Sequence, residues 1–143
     1  MGAHDNYGKR VMRRAVGNAY DDWGAPVQID YGRGEPARID GTVENNIAVE
    51  IESRVSKQVR GAVLDLICHR YRKKLLVLLP VHMSDAKIAA AQCRQIMSRF
   101  LPASDFRVIV LEGNGSYPVI DTDAERVLEA LRELGFGAQA QKA

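Results

Sequence analysis

At 143 residues the chain has the length of one domain and can bury about two thirds of its unfolded surface without disulfide or metal staples. Hydrophobic residues at 46% and charged ones at 27% are ordinary for a globular domain, and no apolar run approaches the roughly 18 residues of a membrane span, so no membrane partner is expected. The net charge of +2 conceals an asymmetry: residues 1–103 hold 16 Lys/Arg against 11 Asp/Glu, whereas residues 104–143 hold 4 against 7.

The first predicted element is a helix over about residues 7–23, with Met12, Ala15, Val16, Ala19, Tyr20 and Trp23 as its apolar stripe and Gly24-Ala25-Pro26 as its stop. Lys9, Arg10, Arg13 and Arg14 on its outer face read either as solvated surface, the favoured view, or as a patch for a nucleic-acid backbone. No apolar run follows these bases, so no signal peptide is expected and a cytoplasmic location is the default. Cys68 and Cys93 lack CxxC spacing, which points to neither zinc nor a disulfide framework.

Residues 27–31 alternate like a short strand, and the breakers Gly32, Gly34 and Pro36 follow. Next comes a hairpin. Ile47, Val49 and Ile51 alternate with Ala48, Glu50 and Glu52, the period of a half-buried strand with both acids on one face. A three-residue turn at Glu44-Asn45-Asn46, closed by a left-handed Asn46, pairs Val43 with Ile47 and sets Asp40 opposite Glu50. A turn one residue shorter or longer would put them on opposite faces. With Glu52, three carboxylates converge, and they must share protons, be screened by solvent or hold a cation.

Ser56 is the expected N-cap of a helix reaching about residue 69, with Val59, Ala62, Val63, Leu66 and Ile67 inward and Lys57, Arg60 and His69 on the polar face. Residues 73–80 read as a central strand entered through the solvated bases Arg70, Arg72, Lys73 and Lys74. His69 and His82 have no metal-ligand spacing and are expected on the surface or in loops. A helix over 85–101 directs Ile88, Ala89, Cys93, Ile96, Met97 and Phe100 to the core, and residues 106–111 form another buried strand. Thr122-Asp123-Ala124-Glu125 has capping-box spacing and opens a last helix with Val127, Leu128, Leu131 and Leu134 inward, closed by Gly135. Residues 136–143 are expected to fray, leaving a core of about 7–135 in one domain, 1–143. The order α-β-β-β-α-β-α-β-α describes a three-layer α/β/α fold around a mixed five-stranded sheet.

An initial helix, a three-stranded meander, Asp40, nine intervening residues, Glu50-Ile51-Glu52, a helix and a buried strand together resemble the restriction-endonuclease-like superfamily, whose motif is PD-(D/E)xK. The resemblance covers about residues 7–111. Ile39 stands in place of the motif proline and Glu52 in place of its lysine. The family pattern implies a divalent-metal-dependent DNA endonuclease, a restriction or small structure-specific enzyme, with Mg2+ (Mn2+ as substitute) held by Asp40, Glu50 and the Ile51 carbonyl. Glu52 would act as general base or further ligand, Lys57 or Arg60 would supply the missing positive charge, and Arg54, Arg60, Arg13 and Arg14 would meet DNA. A homodimer cutting two strands is implied, with no small-molecule cofactor. Two alternatives remain open: a nuclease-fold protein without catalysis that binds nucleic acid or serves as an assembly subunit, and an unrelated α/β domain whose acidic hairpin is surface decoration.

Overall fold

The computed structural model describes residues 3–32, 37–54, 57–113 and 118–138. Helix α1 spans Ala3–Val16, and Gly17, at φ +59°, takes the left-handed conformation that ends it. A 3-10 turn at Gly17–Ala19 then delivers the chain into strand β1, Tyr20–Asp21. The apolar period continues through Tyr20 and Trp23, but a left-handed glycine overrides it: Tyr20 is a buried strand residue and Trp23 is 80% exposed.

Residues 27–31 do not join the main sheet. Ala25–Val27 is a 3-10 turn, and β2 (Gln28–Ile29) pairs antiparallel with β3 (Ala37–Arg38) in a separate two-stranded ribbon. The main sheet holds β1, β4 (Gly41–Val43), β5 (Ile47–Arg54), β6 (Lys73–His82) and β7 (Phe106–Val110), in that spatial order. β1, β4 and β5 are antiparallel, whereas β5, β6 and β7 are parallel, joined through α2 (Lys57–Cys68) and α3 (Ala86–Met97). Among the described residues the fold is thus mixed α/β with five strands in its main sheet and four α-helices, the last being α4 (Asp121–Glu133). Its edge strand is 20–21, where 27–31 was expected.

Helices cover both faces. Ile47, Val49, Ile51, Leu75 and Val77 face α1 and α4, while Ala48, Leu76 and Leu78 face α2 and α3. The β5 face that carries Glu50 is therefore buried: α2 and the buried Val27, Ile29 and Ile39 around the ribbon close over it. Alternation in β5 had implied an exposed polar face, and tertiary packing overrode it.

Other local expectations change for similar reasons. His69 is buried and bridges Pro26 O (2.7 Å) and the Tyr71 N–H (3.1 Å), so it tethers a turn rather than lying on the surface. Lys74 is also buried; its ammonium donates to the His69 carbonyl, and burial lowers its pKa to about 8. In α3, capped by Asp85, only part of the expected stripe is inward: Cys93 and Met97 are buried, whereas Ile88 (56%), Ile96 (39%) and Phe100 (64%) are exposed.

The α4 N-terminus has no side-chain cap, and the capping box does not form. Asp123 is instead fully buried, accepting from Tyr7 OH (2.7 Å) and from the Glu112 and Gly113 amides (2.7 and 2.9 Å). Gly135, at φ +103°, closes α4 with paired bonds from Gly135 N–H to Arg132 O and from Phe136 N–H to Leu131 O. Phe136 packs on the core and Gly137 N–H donates to Glu44 Oε1, so the order extends past residue 135; Ser56 and residues 139–143 lie outside the described residues.

Candidate active site

The turn between β4 and β5 sets the position of the acids. Val43 pairs with Ile47, Thr42 with Ala48 and Gly41 with Val49, the register of a three-residue turn. The left-handed residues are Glu44 (φ 53°) and Asn45 (φ 55°) rather than Asn46, whose N–H donates to Val43 O. Beyond Gly41 the backbone ladder stops, and side chains take over its hydrogen bonds. Asp40 N–H donates to Glu50 Oε1 at 2.8 Å, and Ile51 N–H donates to Asp40 Oδ2 at 2.7 Å. Asp40 and Glu50 thus form a reciprocal clasp at the end of the hairpin.

Tyr20 fixes the clasp from the edge strand. Its hydroxyl donates to Asp40 O at 3.0 Å, and its ring lies where a Cβ on Gly41 would stand 2.5 Å away, so residue 41 must lack one. Burial, reinforced by Asp40 and Asp22, pushes the Tyr20 hydroxyl pKa upward, which keeps it a neutral donor.

Glu50 is 7% exposed. Burial first, and then the neighbouring Asp40 charge, push its pKa up to about 10; Asp65 on α2 adds to the rise, and the Asp40 amide opposes it. Asp65 accepts from Tyr31 OH, whose own pKa is raised by burial and by that bond. Burial and the Asp40 charge beside it thus favour the neutral, protonated Glu50 carboxyl.

A cleft of about 740 Å3 opens onto Asp40, lined on its other sides by Asn6, Lys9, Arg10 and Arg13 from α1, by Asp22 and Trp23, and by Arg38 and Ile39. Asp22 holds Lys9 (3.5 Å) and Arg13 (2.9 Å) in place, and these two bases outweigh the effect of burial and lower its pKa. Arg38 lies over the Trp23 ring at 5.8 Å from its centroid. Asp40 at one wall, bonded through its amide to the buried Glu50, and four bases with an exposed indole around it give the cleft distinct acidic and basic parts.

No protein-family model, no curated protein and no solved structure matches this chain.

Of the residues singled out from sequence, Asp40, Glu50 and Ile51 come together, the last through its amide. Glu52 does not complete a trio: its Oε1 turns back to accept from the Ser53 and Arg54 amides (3.1 and 2.8 Å). Among the described residues no three His, Cys, Asp or Glu side chains form a metal-holding group. Arg13 lines the cleft, but Arg14 pairs with Asp121 on α4 at 2.7 Å, and Arg60 lines a different groove between α2 and α3. Arg54 is exposed at the end of β5, and the side chain of Lys57, the first residue of α2, lies outside what is described. Sequence reasoning named Lys9 and Arg10 as part of a charge run read as surface or as a backbone-contacting patch, and it missed Arg38, Trp23 and Asp65 as parts of the site.

The donor chemistry fits a small divalent cation. Asp40 and Glu50 offer hard carboxylate oxygens side by side, and the proton favoured on Glu50 is the species such a cation would displace.

Proposed function

We propose that the protein is a divalent-metal-dependent phosphodiesterase acting on DNA, an endonuclease with Asp40 and Glu50 at its centre. The observation that carries this reading is the placement of Asp40, bonded through its amide to the buried Glu50, at the wall of a cleft that Lys9, Arg10, Arg13 and Arg38 also line. Asp40 and Glu50 would hold Mg2+ or Mn2+, with Ile51 contributing main-chain polarity beside them. Such an ion, when bound, supplies Lewis-acid activation of water and neutralises charge on the phosphate.

The chain's own residues do the rest. Lys9, Arg10 and Arg38 place the phosphodiester backbone against Asp40, and the exposed Trp23 face offers a stacking surface for a base. Lys9, whose side chain is 11% exposed and steadied by Asp22, takes the charge-stabilising part that the family pattern assigns to the lysine replaced by Glu52. Tyr20 and the Ile51 amide orient Asp40.

One observation favours the second reading, a nuclease-fold protein that binds nucleic acid without cutting it: Glu52, which stands where the family pattern has its lysine, accepts at Oε1 from the Ser53 and Arg54 amides of its own strand. Supercoiled plasmid incubated with Mg2+ or Mn2+ separates the two. Nicking lost in Asp40→Ala and Glu50→Ala supports the endonuclease; DNA binding without nicking supports the second reading; nicking that survives both substitutions removes the site.

A further inference from the structure

The α3 helix shows its largest apolar side chains to solvent. Of the seven large hydrophobic residues exposed among the described residues, Leu64, Ile88, Ile96 and Phe100 line one groove between α2 and α3, of about 970 Å3. Scattered exposed apolar residues are normal, but four around one concave surface mark an interaction face. The periodicity that suggested core positions at 88, 96 and 100 marks an apolar stripe that the described residues of this chain leave exposed.

The chemistry of that stripe identifies its occupant. Along the groove α3 and its flanks place Asp85 at the start, Ile88 one turn in, Gln92 in the middle, Ile96 one turn further and Arg99 at the end. The series is self-complementary about Gln92. Laid antiparallel on a copy of itself, it brings Ile88 to Ile96, Asp85 to Arg99 and Gln92 to Gln92. An acid at the helix start and a base after its end are opposite in sign, so each end of one copy meets the opposite charge on the other.

We infer that the α2–α3 groove is the site at which two copies of this chain pair, through antiparallel α3 helices related by a two-fold axis at Gln92. The pairing is isologous and closes on itself, as a two-fold interface requires. The two Ile88–Ile96 contacts form its apolar centre, Leu64 and Phe100 extend that centre, and the two Asp85–Arg99 pairs set register at the rim. No residue of the groove lines the cleft at Asp40, so both clefts stay open in the pair. The pairing does not depend on the chemistry of Asp40 and Glu50, and its test reads mass rather than cleavage.

The test uses sedimentation or light scattering on the full chain, together with oxidative cross-linking. The wild type is expected at twice the 15.8 kDa chain mass. Ile88→Lys, at an already exposed position, is expected at single-chain mass with unchanged circular dichroism. Arg99→Glu should raise the dissociation constant several-fold. With helix axes about 8–10 Å apart, the two Cα atoms at position 92 fall within disulfide range, so Gln92→Cys in a Cys68→Ser background is expected to cross-link fully on oxidation. A wild type of single-chain mass at its highest soluble concentration, with the face left to some other occupant, would overturn the inference. So would a dimer that survives Ile88→Lys, or one in which Gln92→Cys does not cross-link.

Discussion

Replacing Glu50 by Gln should stabilise the metal-free protein, although it removes a residue from the heart of the site. Folding raises the Glu50 pKa from 4.5 to about 10, so the native state binds a proton that the unfolded chain releases at neutral pH. The sign follows: stability is greatest below pH 4.5 and falls as pH rises toward 10, by about 1.4 kcal/mol per unit while only the unfolded state is ionised. Between pH 4.5 and 7 the loss is on the order of 3 kcal/mol. Glutamine keeps the shape, can accept from the Asp40 amide and can donate to the Asp40 carboxylate, but it does not titrate. Urea unfolding at pH 5, 7 and 9 without divalent ions should show a wild-type midpoint that falls with pH and a Glu50→Gln midpoint that changes much less. At pH 7 the variant should lead by about 1–2 M urea, given slopes near 2 kcal/mol per molar. A wild-type midpoint that is flat or rises from pH 5 to 9, or a variant less stable than wild type at pH 7, would refute the reasoning.

Gly41→Ala should destabilise the fold by about 1–3 kcal/mol in the same denaturation assay, because its Cβ would stand 2.5 Å from the Tyr20 ring. Asp123→Ala leaves the Tyr7 hydroxyl and the Glu112 and Gly113 amides without their acceptor, and should cost about 3 kcal/mol or more by thermal or chemical melting. Arg38→Ala should weaken DNA binding for all sequences alike and flatten the slope of log K against log salt by about one, measured by fluorescence anisotropy. Trp23→Ala should weaken single-stranded DNA binding by about 1–3 kcal/mol, the worth of one stacked base.

The hairpin was legible in the sequence because a period-two pattern and turn length fix register together. Val43 does pair with Ile47, and Asp40 and Glu50 do meet. Neighbouring features were illegible for identifiable reasons. Gly17 ended α1 by backbone conformation while the apolar period ran on, and this moved the edge strand to Tyr20–Asp21. Glu50 is buried because α2 and the β2–β3 ribbon close over a face that alternation marks as polar. The basic wall of the cleft joins Lys9, Arg13 and Arg38, which are distant in sequence and adjacent only after α1 packs beside the hairpin. In α3 the apolar period was expected to face the core throughout, yet Ile88, Ile96 and Phe100 are exposed, because periodicity marks an apolar face without saying what covers it. Asp123 shows the same limit locally: a capping-box spacing gave way to a buried acceptor that ties α1 to the loop after β7.

The claim that Asp40 and Glu50 form a cation site is tested most directly by Mn2+ titration in a weakly buffered solution, reading heat and proton release together. The proton that burial favours on Glu50 must leave when a divalent ion takes its place. The account predicts saturable binding at pH 7 with close to one proton released per ion, no proton release in Glu50→Gln, and binding lost in Asp40→Ala. Saturable binding that releases no proton, or that persists unchanged in Asp40→Ala, would contradict it.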